Sequence, residues 1–309
     1  MRQKLLLFSS GLLMLFLQMA CVEFEEPVNN DKPKWEVYTT KDGLPSDTVW
    51  SINQDIEKSI LIGTQNGVCY IEDSKPNTIK PFDTGFVVHT IACTDESIAI
   101  ATSLGLLALM DGEWNFYATK NHLIDVKFYN NEIFSLQENG DVFKSIWNPS
   151  LNYHEHEYFG MYKFSNSIYV YDNSLWLCRL IGAHKIFPNE KLYSEIDGLA
   201  SNLCYAIYQD HNNIVWIGTS DEKGLSKIDR GKVINLDCGY IRTITEDIKG
   251  NIWAGSNFNG LYKIESNGNI TNYTMLDGLP NNKITNVFAA KDGTIWVATE
   301  GGGIAKHTN

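Results

Sequence analysis

The chain has 309 residues, of which 43% are apolar and 20% are charged. This composition is typical of a folded globular protein and excludes a disordered or collagen-like chain. The formal net charge is −12. An acidic chain argues against nucleic acid as a partner, because binding a phosphate backbone requires a basic stripe.

The N-terminal segment has the pattern of a secretory signal. A short basic start is followed by an apolar run at 5–17, and a small residue precedes Cys21. This arrangement is similar to a bacterial lipoprotein cleavage site, at which the cysteine is lipidated. We therefore expect residues 1–20 to be a signal peptide, Cys21 to carry the lipid and 21–33 to be a tether. Secretion without a lipid and an uncleaved anchor are the alternatives, although the apolar run is short for a membrane-spanning helix.

Five further cysteines lie mostly in apolar, strand-like runs. None of them has the CxxC spacing of a zinc or redox motif. We expect buried thiols that pack as small hydrophobic side chains, and a disulfide in an oxidising compartment is the alternative. These residues are Cys69, Cys93, Cys178, Cys204 and Cys238.

A short strand motif recurs seven times along the chain. Its clearest copy is Asn213–Thr219 (NIVWIGT), and similar copies begin at Asn251 and Thr294. The spacing averages about 40 residues, and each copy contains several short β-rich runs between polar turns. In the fifth copy these runs are 203–208, 214–218, 224–228 and 232–236. The pattern predicts an all-β fold, a seven-bladed β-propeller of four-stranded antiparallel blades.

The two ends of the repeat array complement each other. The last copy stops after a third strand at 303–307, and residues 34–39 precede the first copy as a strand without a blade. We expect this N-terminal strand to complete the last blade, because closing the ring removes exposed sheet edges. The propeller domain would then span residues 34–309.

A second motif precedes the first strand of several blades. It reads DGLPS at Asp42–Ser46, DGLAS at Asp197–Ser201 and DGLPN at Asp277–Asn281. Together with the WIGT strand, this motif resembles the two-component regulator propeller repeat, which builds periplasmic sensor regions of hybrid histidine kinases. The resemblance covers residues 35–309. It implies sensing or ligand binding in the envelope of a Gram-negative bacterium, and no kinase sequence accompanies the propeller here.

One position of the predicted innermost strand differs in every blade. The neighbouring position is uniformly Ile or Val, as expected for core between blades. Two residues earlier the side chains are diverse and mostly polar or aromatic. These residues are Trp50, His89, Ile124, Asn166, Tyr205, Arg242 and Thr285. We expect several of them to line a ligand site in the funnel on the face of the d–a and b–c loops; the alternative is variable packing between blades.

The arginines indicate the charge of the ligand. After residue 20 the chain has three, Arg179, Arg230 and Arg242, and two of them fall at funnel-proximal positions. Arginine binds carboxylates and phosphates in a bidentate manner, so we expect an anionic group on the ligand. Structural salt bridges are the alternative. Trp50 and Tyr205 are suited to stack on a sugar ring or another flat face.

The predicted ligand-binding residues are therefore Trp50, His89, Asn166, Arg179, Tyr205, Arg242 and Thr285. We expect no cofactor and no metal. The spacing of the histidines in 154–157 is compatible with a metal, but a solvated strand explains it better. Four aspartates at the turns between the first two strands, at positions 55, 210, 247 and 292, are expected to cap backbone groups.

Three functions fit this pattern. We expect a non-catalytic sensor-like propeller that binds a small molecule or an oligosaccharide, anchored to the membrane only through its lipid. The first alternative is a platform that binds an envelope protein. The second is a propeller lyase, in which His89, Tyr205 and Glu300 would be the acid and base groups.

Overall fold

The computed structural model describes residues 35–72, 75–78, 85–110, 112–129, 132–148, 153–171 and 174–308. The expected signal peptide, tether and lipidated Cys21 lie outside these residues. Residues 34–309 form one compact unit. In the described ranges, no helix has the length and apolar character needed to cross a membrane.

Seven four-stranded antiparallel sheets form a β-propeller, which confirms the predicted fold. In blades 1 to 6 the strands a, b, c and d follow one another both along the chain and across the sheet. Blade 1 contains Val49–Gln54, Ile60–Thr64, Gly67–Glu72 and Lys75–Thr78, and blade 2 contains Val88–Cys93, Ile98–Thr102, Gly105–Met110 and Glu113–Ala118. Blade 3 contains Leu123–Tyr129, Glu132–Gln137, Asp141–Asn148 and Tyr153–Met161, and blade 4 contains Ser165–Tyr171, Ser174–Arg179, Gly182–Phe187 and Lys191–Tyr193. Blade 5 contains Cys204–Gln209, Val215–Thr219, Leu225–Asp229 and Lys232–Leu236, and blade 6 contains Ile241–Glu246, Ile252–Ser256, Leu261–Ile264 and Ile270–Tyr273.

The seventh blade joins the two ends of the propeller. Its strands a to c are Ile284–Ala289, Thr294–Thr299 and Ile304–Thr308, and its strand d is Glu36–Tyr38. The N-terminal strand therefore closes the ring, as predicted. Strand a of blade 7 contacts strand a of blade 1, so the seven inner strands surround a central axis. In blade 5, strands a to c begin one residue later than predicted, and strand d has the predicted bounds.

The DGLP motif forms a capped turn. In its first copy, Thr39 and Asp42 make a reciprocal capping box around a short 3-10 helix, Thr40–Asp42. Gly43 follows with φ of +110°, a left-handed conformation that glycine adopts without strain. Leu44 is then buried at 4% exposure. The same turn recurs before blades 5 and 7, so the motif specifies how the chain enters a blade.

The aspartates of the a–b turns cap backbone groups, which confirms the turn prediction. Asp247 accepts hydrogen bonds from the backbone N–H of Lys249 and of Asn251, both at 2.9 Å. Its second carboxylate oxygen accepts the indole N–H of Trp253 at 2.8 Å. Blade 5 repeats this arrangement with Asp210 and Trp216. Simpler backbone caps occur at positions 55 and 292.

The glycine of the WIGT strand permits close contact between blades. A Cβ atom on Gly63 would lie 2.3 Å from Cγ1 of Val88, in strand a of the next blade. The equivalent distance from Gly255 to Cγ2 of Ile284 would be 2.6 Å. A residue without a side chain is thus required at these two boundaries between blades.

Candidate functional site

Strand a contains a β-bulge at the same place in all seven blades. In blade 1, Val49 pairs with Thr64 and Ser51 pairs with Gly63, which leaves Trp50 without a partner in the ladder. A bulge redirects the side chain of the extra residue. The seven extra residues are Trp50, His89, Ile124, Asn166, Tyr205, Arg242 and Thr285. They are the same seven residues that differ between the repeats in sequence.

All seven extra residues line a central cavity of about 650 Å³. This volume lies in the usual range for sites that bind small molecules. The cavity is surrounded by the bulged segments of strand a, so the uniform scaffold presents one variable side chain from each blade. The ligand-site hypothesis requires this arrangement.

A second ring of polar residues, one position after each bulge, ties neighbouring blades together. In five blades this side chain accepts a hydrogen bond from the backbone N–H of the uniform Ile or Val in the next blade. The pairs are Ser51 with Ile91 at 3.0 Å, Thr90 with Val126 at 3.1 Å, Asp125 with Ile168 at 2.7 Å, Thr243 with Val287 at 3.1 Å and Asn286 with Ile52 at 3.1 Å. We call these five acceptors the polar ring.

Sequence reasoning did not identify the polar ring, although a signal was available. A Ser, Thr, Asp or Asn precedes the uniform aliphatic residue in six of the seven repeats. Blade 5 is the exception, because it has Ala206 there. A methyl group accepts no hydrogen bond, so the N–H of Ile244 in blade 6 has no side-chain acceptor at this position. The polar ring is therefore interrupted between blades 5 and 6, where Ala206 and Ile244 both line the cavity. The bond is also missing between blades 4 and 5, because the hydroxyl of Ser167 donates to the carbonyl of Ile168 instead.

Arg242 lies beside the interruption at Ala206. Its Nη1 donates to Oδ1 of Asn257 at 3.1 Å, and among the described residues no carboxylate forms an ion pair with it. Asp125 and Lys127 also line the cavity, but they pair with each other at 2.6 Å. The guanidinium of Arg242 is therefore the uncompensated positive charge among the described lining residues.

Aromatic side chains flank the arginine. The ring of Tyr205 lies 4.8 Å from that of Tyr240, and Tyr240 in turn makes an edge contact with Phe258 at 6.1 Å. Burial, and then the hydrogen bond with Tyr205, raises the pKa of Tyr240. The phenol of Tyr240 is therefore neutral at pH 7, and this aromatic group combines flat apolar faces with hydroxyl groups.

His89 lines the cavity from blade 2. Its Nε2 atom is buried and has no hydrogen-bond partner among the described groups. Burial, and then the nearby His122, lowers the pKa of His89. The imidazole is therefore neutral at pH 7. A buried polar nitrogen without a partner is uncommon in folded proteins, so a ligand that bonds to it would satisfy it.

Three other predicted residues are already engaged. The amide of Asn166 donates to the carbonyl of Cys204 at 3.0 Å, and the hydroxyl of Thr285 donates to the carbonyl of Val49. These two bonds join neighbouring blades, which agrees with the packing alternative for those positions. The indole N–H of Trp50 donates to Gln65 at 2.8 Å, and its ring still lines the cavity.

The structure does not bring Arg179 to the cavity. Its guanidinium donates to the carbonyl of Lys163 at 3.1 Å and contacts Nδ1 of His184 at 3.2 Å. Glu300, the acid or base of the lyase alternative, is also outside the lining and pairs with Lys283 at 2.7 Å. Of the three residues suggested for lyase chemistry, His89 and Tyr205 line the cavity. No group of His, Cys, Asp and Glu within the described ranges is arranged to hold a metal ion.

Solved structures with the same fold include extracellular domains of bacterial signalling systems and lyases. The extracellular domain of a hybrid two-component system from B. thetaiotaomicron superposes with a TM-score of 0.73 at 17% identity, covering 90% of this chain and 42% of that one. The extracellular domain of a one-component system from the same organism gives 0.70 at 18%, covering 90% and 40%. Virginiamycin B lyase from Staphylococcus aureus, with quinupristin bound, gives 0.70 at 13%, covering 89% and 99%.

These similarities show the fold, because all three identities are low. The chain spans about two fifths of the length of these two extracellular domains. No curated protein sequence matches it. A sequence profile of the two component regulator propeller matches residues 198–221 and 278–301, the segments that enter and begin blades 5 and 7. Two segments of the chain therefore match the two component regulator propeller repeat, and the fold around them is that of the extracellular domains above.

Proposed function

We propose that this chain is a non-catalytic, sensor-like binding propeller of the cell envelope, and that its central cavity takes a small molecule or glycan fragment with a carboxylate or another anionic group. The observation that carries the proposal is the unpaired Arg242 at the interruption of the polar ring. The proposed location rests on the extracellular sensor domains among the structural neighbours. Anchoring through Cys21 is part of the same proposal.

The charge of the lining supports an anionic ligand. The whole chain carries −12, yet the described lining residues leave one positive charge, on Arg242, once Asp125 and Lys127 have neutralised each other. An arginine in a concave site binds a carboxylate through two parallel hydrogen bonds. A ligand anion there would replace the carboxylate partner that the protein does not provide.

The interruption at Ala206 supplies space and a donor beside the arginine. The polar-ring geometry of five other blades directs the N–H equivalent to that of Ile244 toward the preceding blade. In blade 6 this N–H has only the Ala206 methyl opposite it in the ring. We expect one anion oxygen to accept from Arg242 and the other to accept from Ile244.

The aromatic lining fits a ring-shaped ligand. Tyr205 and Trp50 both line the cavity and offer flat faces, on which sugar rings stack. His89 adds a buried nitrogen without a partner on another wall. A uronic acid combines a flat ring, hydroxyl groups and a carboxylate, so acidic oligosaccharides are the first probes to test.

Isothermal titration calorimetry with oligogalacturonate and oligoglucuronate tests this proposal, with neutral gluco-oligosaccharides of equal length as the comparison. Arg242→Gln should weaken binding of the acidic ligand about 10- to 100-fold, because it removes a charged hydrogen-bonding partner. Arg230→Gln is the matched control, since the Arg230 side chain is 96% exposed and lies outside the cavity lining. Equal affinity for acidic and neutral ligands, or unchanged affinity in Arg242→Gln, would contradict the proposal.

A protein-binding platform is the second candidate, favoured by two exposed aliphatic residues. Ile196 is 97% exposed and Leu276 is 88% exposed, at equivalent places in the capped turns before blades 5 and 7. Both belong to d–a loops. An envelope partner that loses affinity for the Ile196→Ser, Leu276→Ser variant but not for Arg242→Gln would establish this function.

A further inference from the structure

Cys178 and Cys204 face each other across the boundary between blades 4 and 5. Cys178 lies in strand b of blade 4, and Cys204 begins strand a of blade 5. Both are fully buried and belong to the same core cluster. Both cysteines are free thiols in the structure. The other described cysteines, Cys69, Cys93 and Cys238, belong to other clusters.

At three other boundaries of the propeller the same contact pairs glycine with a branched residue. Gly63 meets Val88, and Gly255 meets Ile284, at the corresponding places in blades 1 and 6. Only between blades 4 and 5 is this small-and-large pair replaced by two cysteines. The replacement keeps the contact filled, because two side chains of intermediate size take the place of one large side chain.

The backbone geometry of the equivalent contacts in blades 1 and 6 is close to that of a disulfide. An ideal Cβ on Gly63 would lie 3.0 Å from the Cβ of Val88, and one on Gly255 would lie 3.1 Å from the Cβ of Ile284. Disulfides require Cβ atoms about 3.5–4.5 Å apart, so a small widening of the same contact reaches bonding geometry. Burial, and then the neighbouring Cys204 thiol, raises the pKa of Cys178, which agrees with two adjacent sulfurs. The Cys204 thiol itself donates to the carbonyl of Ala206 at 3.9 Å.

We propose that Cys178 and Cys204 form a disulfide that joins blades 4 and 5. The proposal rests on the envelope location proposed above, since such compartments are oxidising. Each thiol loses its hydrogen and an S–S bond forms. The two electrons and two protons pass to a disulfide oxidant, which leaves as a dithiol. Because both sulfurs are shielded in the folded protein, we expect the exchange to occur before the blades close.

Alkylation followed by mass spectrometry tests the bond. The full chain is exported into a bacterial periplasm, denatured without reductant and treated with iodoacetamide. We expect Cys178 and Cys204 to stay unlabelled until reductant is added, and a peptide pair linked through these two residues to appear. Free thiols at both positions in the exported protein would overturn the proposal.

A stability measurement provides a second readout. Reduction should lower the melting temperature of the exported protein by about 5–10 °C, the effect expected for a loop of this length in a domain of this size. The matched control is Cys178→Gly, Cys204→Ile, which installs the pair that other blades use and should fold with a melting temperature insensitive to reductant. Cys93→Ser should retain the sensitivity of the unaltered chain. An unaltered chain that is no more sensitive to reductant than the control would also overturn the proposal.

Discussion

Replacing Asp125 tests whether the polar ring stabilises the propeller. Asp125 is 2% exposed. Its carboxylate accepts the backbone N–H of Ile168 in the next blade at 2.7 Å, the N–H of Val126 at 2.8 Å and Nζ of Lys127 at 2.6 Å. One side chain thus joins blade 3 to blade 4 and neutralises a charge in the cavity wall.

The expected loss follows from these three bonds. Breaking a buried ion pair by removing one partner costs about 3–5 kcal/mol. The side chain of Lys127 is 31% exposed, so water recovers part of its solvation, and we expect Asp125→Ala to lower the free energy of unfolding by about 3 kcal/mol.

The propeller provides its own conservative control. Asn286 has the equivalent place in blade 7 and accepts the N–H of Ile52 at 3.1 Å. Asp125→Asn therefore keeps an acceptor for the next blade and should cost about 1–2 kcal/mol. Thr90→Val, which removes one neutral bond of the ring, should cost about 1 kcal/mol.

Urea unfolding followed by tryptophan fluorescence and far-UV circular dichroism measures these losses. The slope with urea should stay constant among the variants, because the surface exposed on unfolding does not change. Both variants remove the charge that pairs with Lys127, and only Asn keeps an acceptor for Ile168. If Asp125→Ala loses no more stability than Asp125→Asn, the hydrogen bond between blades 3 and 4 contributes nothing and this reasoning is refuted.

Four further outcomes are expected. Asp247→Ala leaves the buried indole N–H of Trp253 without its acceptor and should lower the free energy of unfolding by about 2–4 kcal/mol. Burial opposes ionisation of Asp247, but the hydrogen bonds to its carboxylate outweigh burial and lower its pKa. The ionised carboxylate therefore stabilises the fold, and this stabilisation is lost as the pH falls below about 4. The urea midpoints of Asp247→Asn and of the unaltered chain should then approach each other. Burial lowers the pKa of His89. Protonation below about pH 6.5 therefore opposes folding. Between pH 7 and pH 5, the melting temperature of His89→Gln should fall less than that of the unaltered chain. Gly63→Ala should lower the melting temperature because its methyl group meets Val88, and Val88→Ala should restore part of the loss; a Gly63→Ala protein as stable as the parent would disprove the close contact.

The comparison with solved structures does not determine the function, which must be argued from the residues of the cavity. Sensor domains and a lyase share this fold at nearly equal TM-scores, and a fold does not specify chemistry. The residues that line the cavity distinguish the binding function from the lyase alternative. It contains an unpaired Arg242 and a neutral His89, whereas Glu300, the third residue of the lyase alternative, is paired outside the cavity.

The position of the variable side chains was predictable because the repeat is regular. Seven aligned copies separate the uniform residue, such as Ile52, from the diverse one, such as Trp50. The bulge that turns Trp50 into the cavity was not predictable. In a regular strand, side chains alternate between the two faces of the sheet, and this pattern does not show where an extra residue is inserted. The polar ring was also missed, since its acceptors and donors lie about 40 residues apart and meet only when blades pack side by side.

The two candidate arginines show what the repeat pattern alone does not predict. Both fall at funnel-proximal positions in the repeat, but Arg242 is the extra residue of a bulge and lines the cavity. Arg179 lies at the end of a strand, where the Lys163 carbonyl and His184 bind its guanidinium. Repeat length, blade number, entry turns and ring closure follow from local patterns along the chain, because each blade is built from neighbouring segments. The charge and shape of the cavity, and its polar groups without a protein partner, depend on how seven blades meet around one axis. Packing between segments that are distant in the sequence determines them.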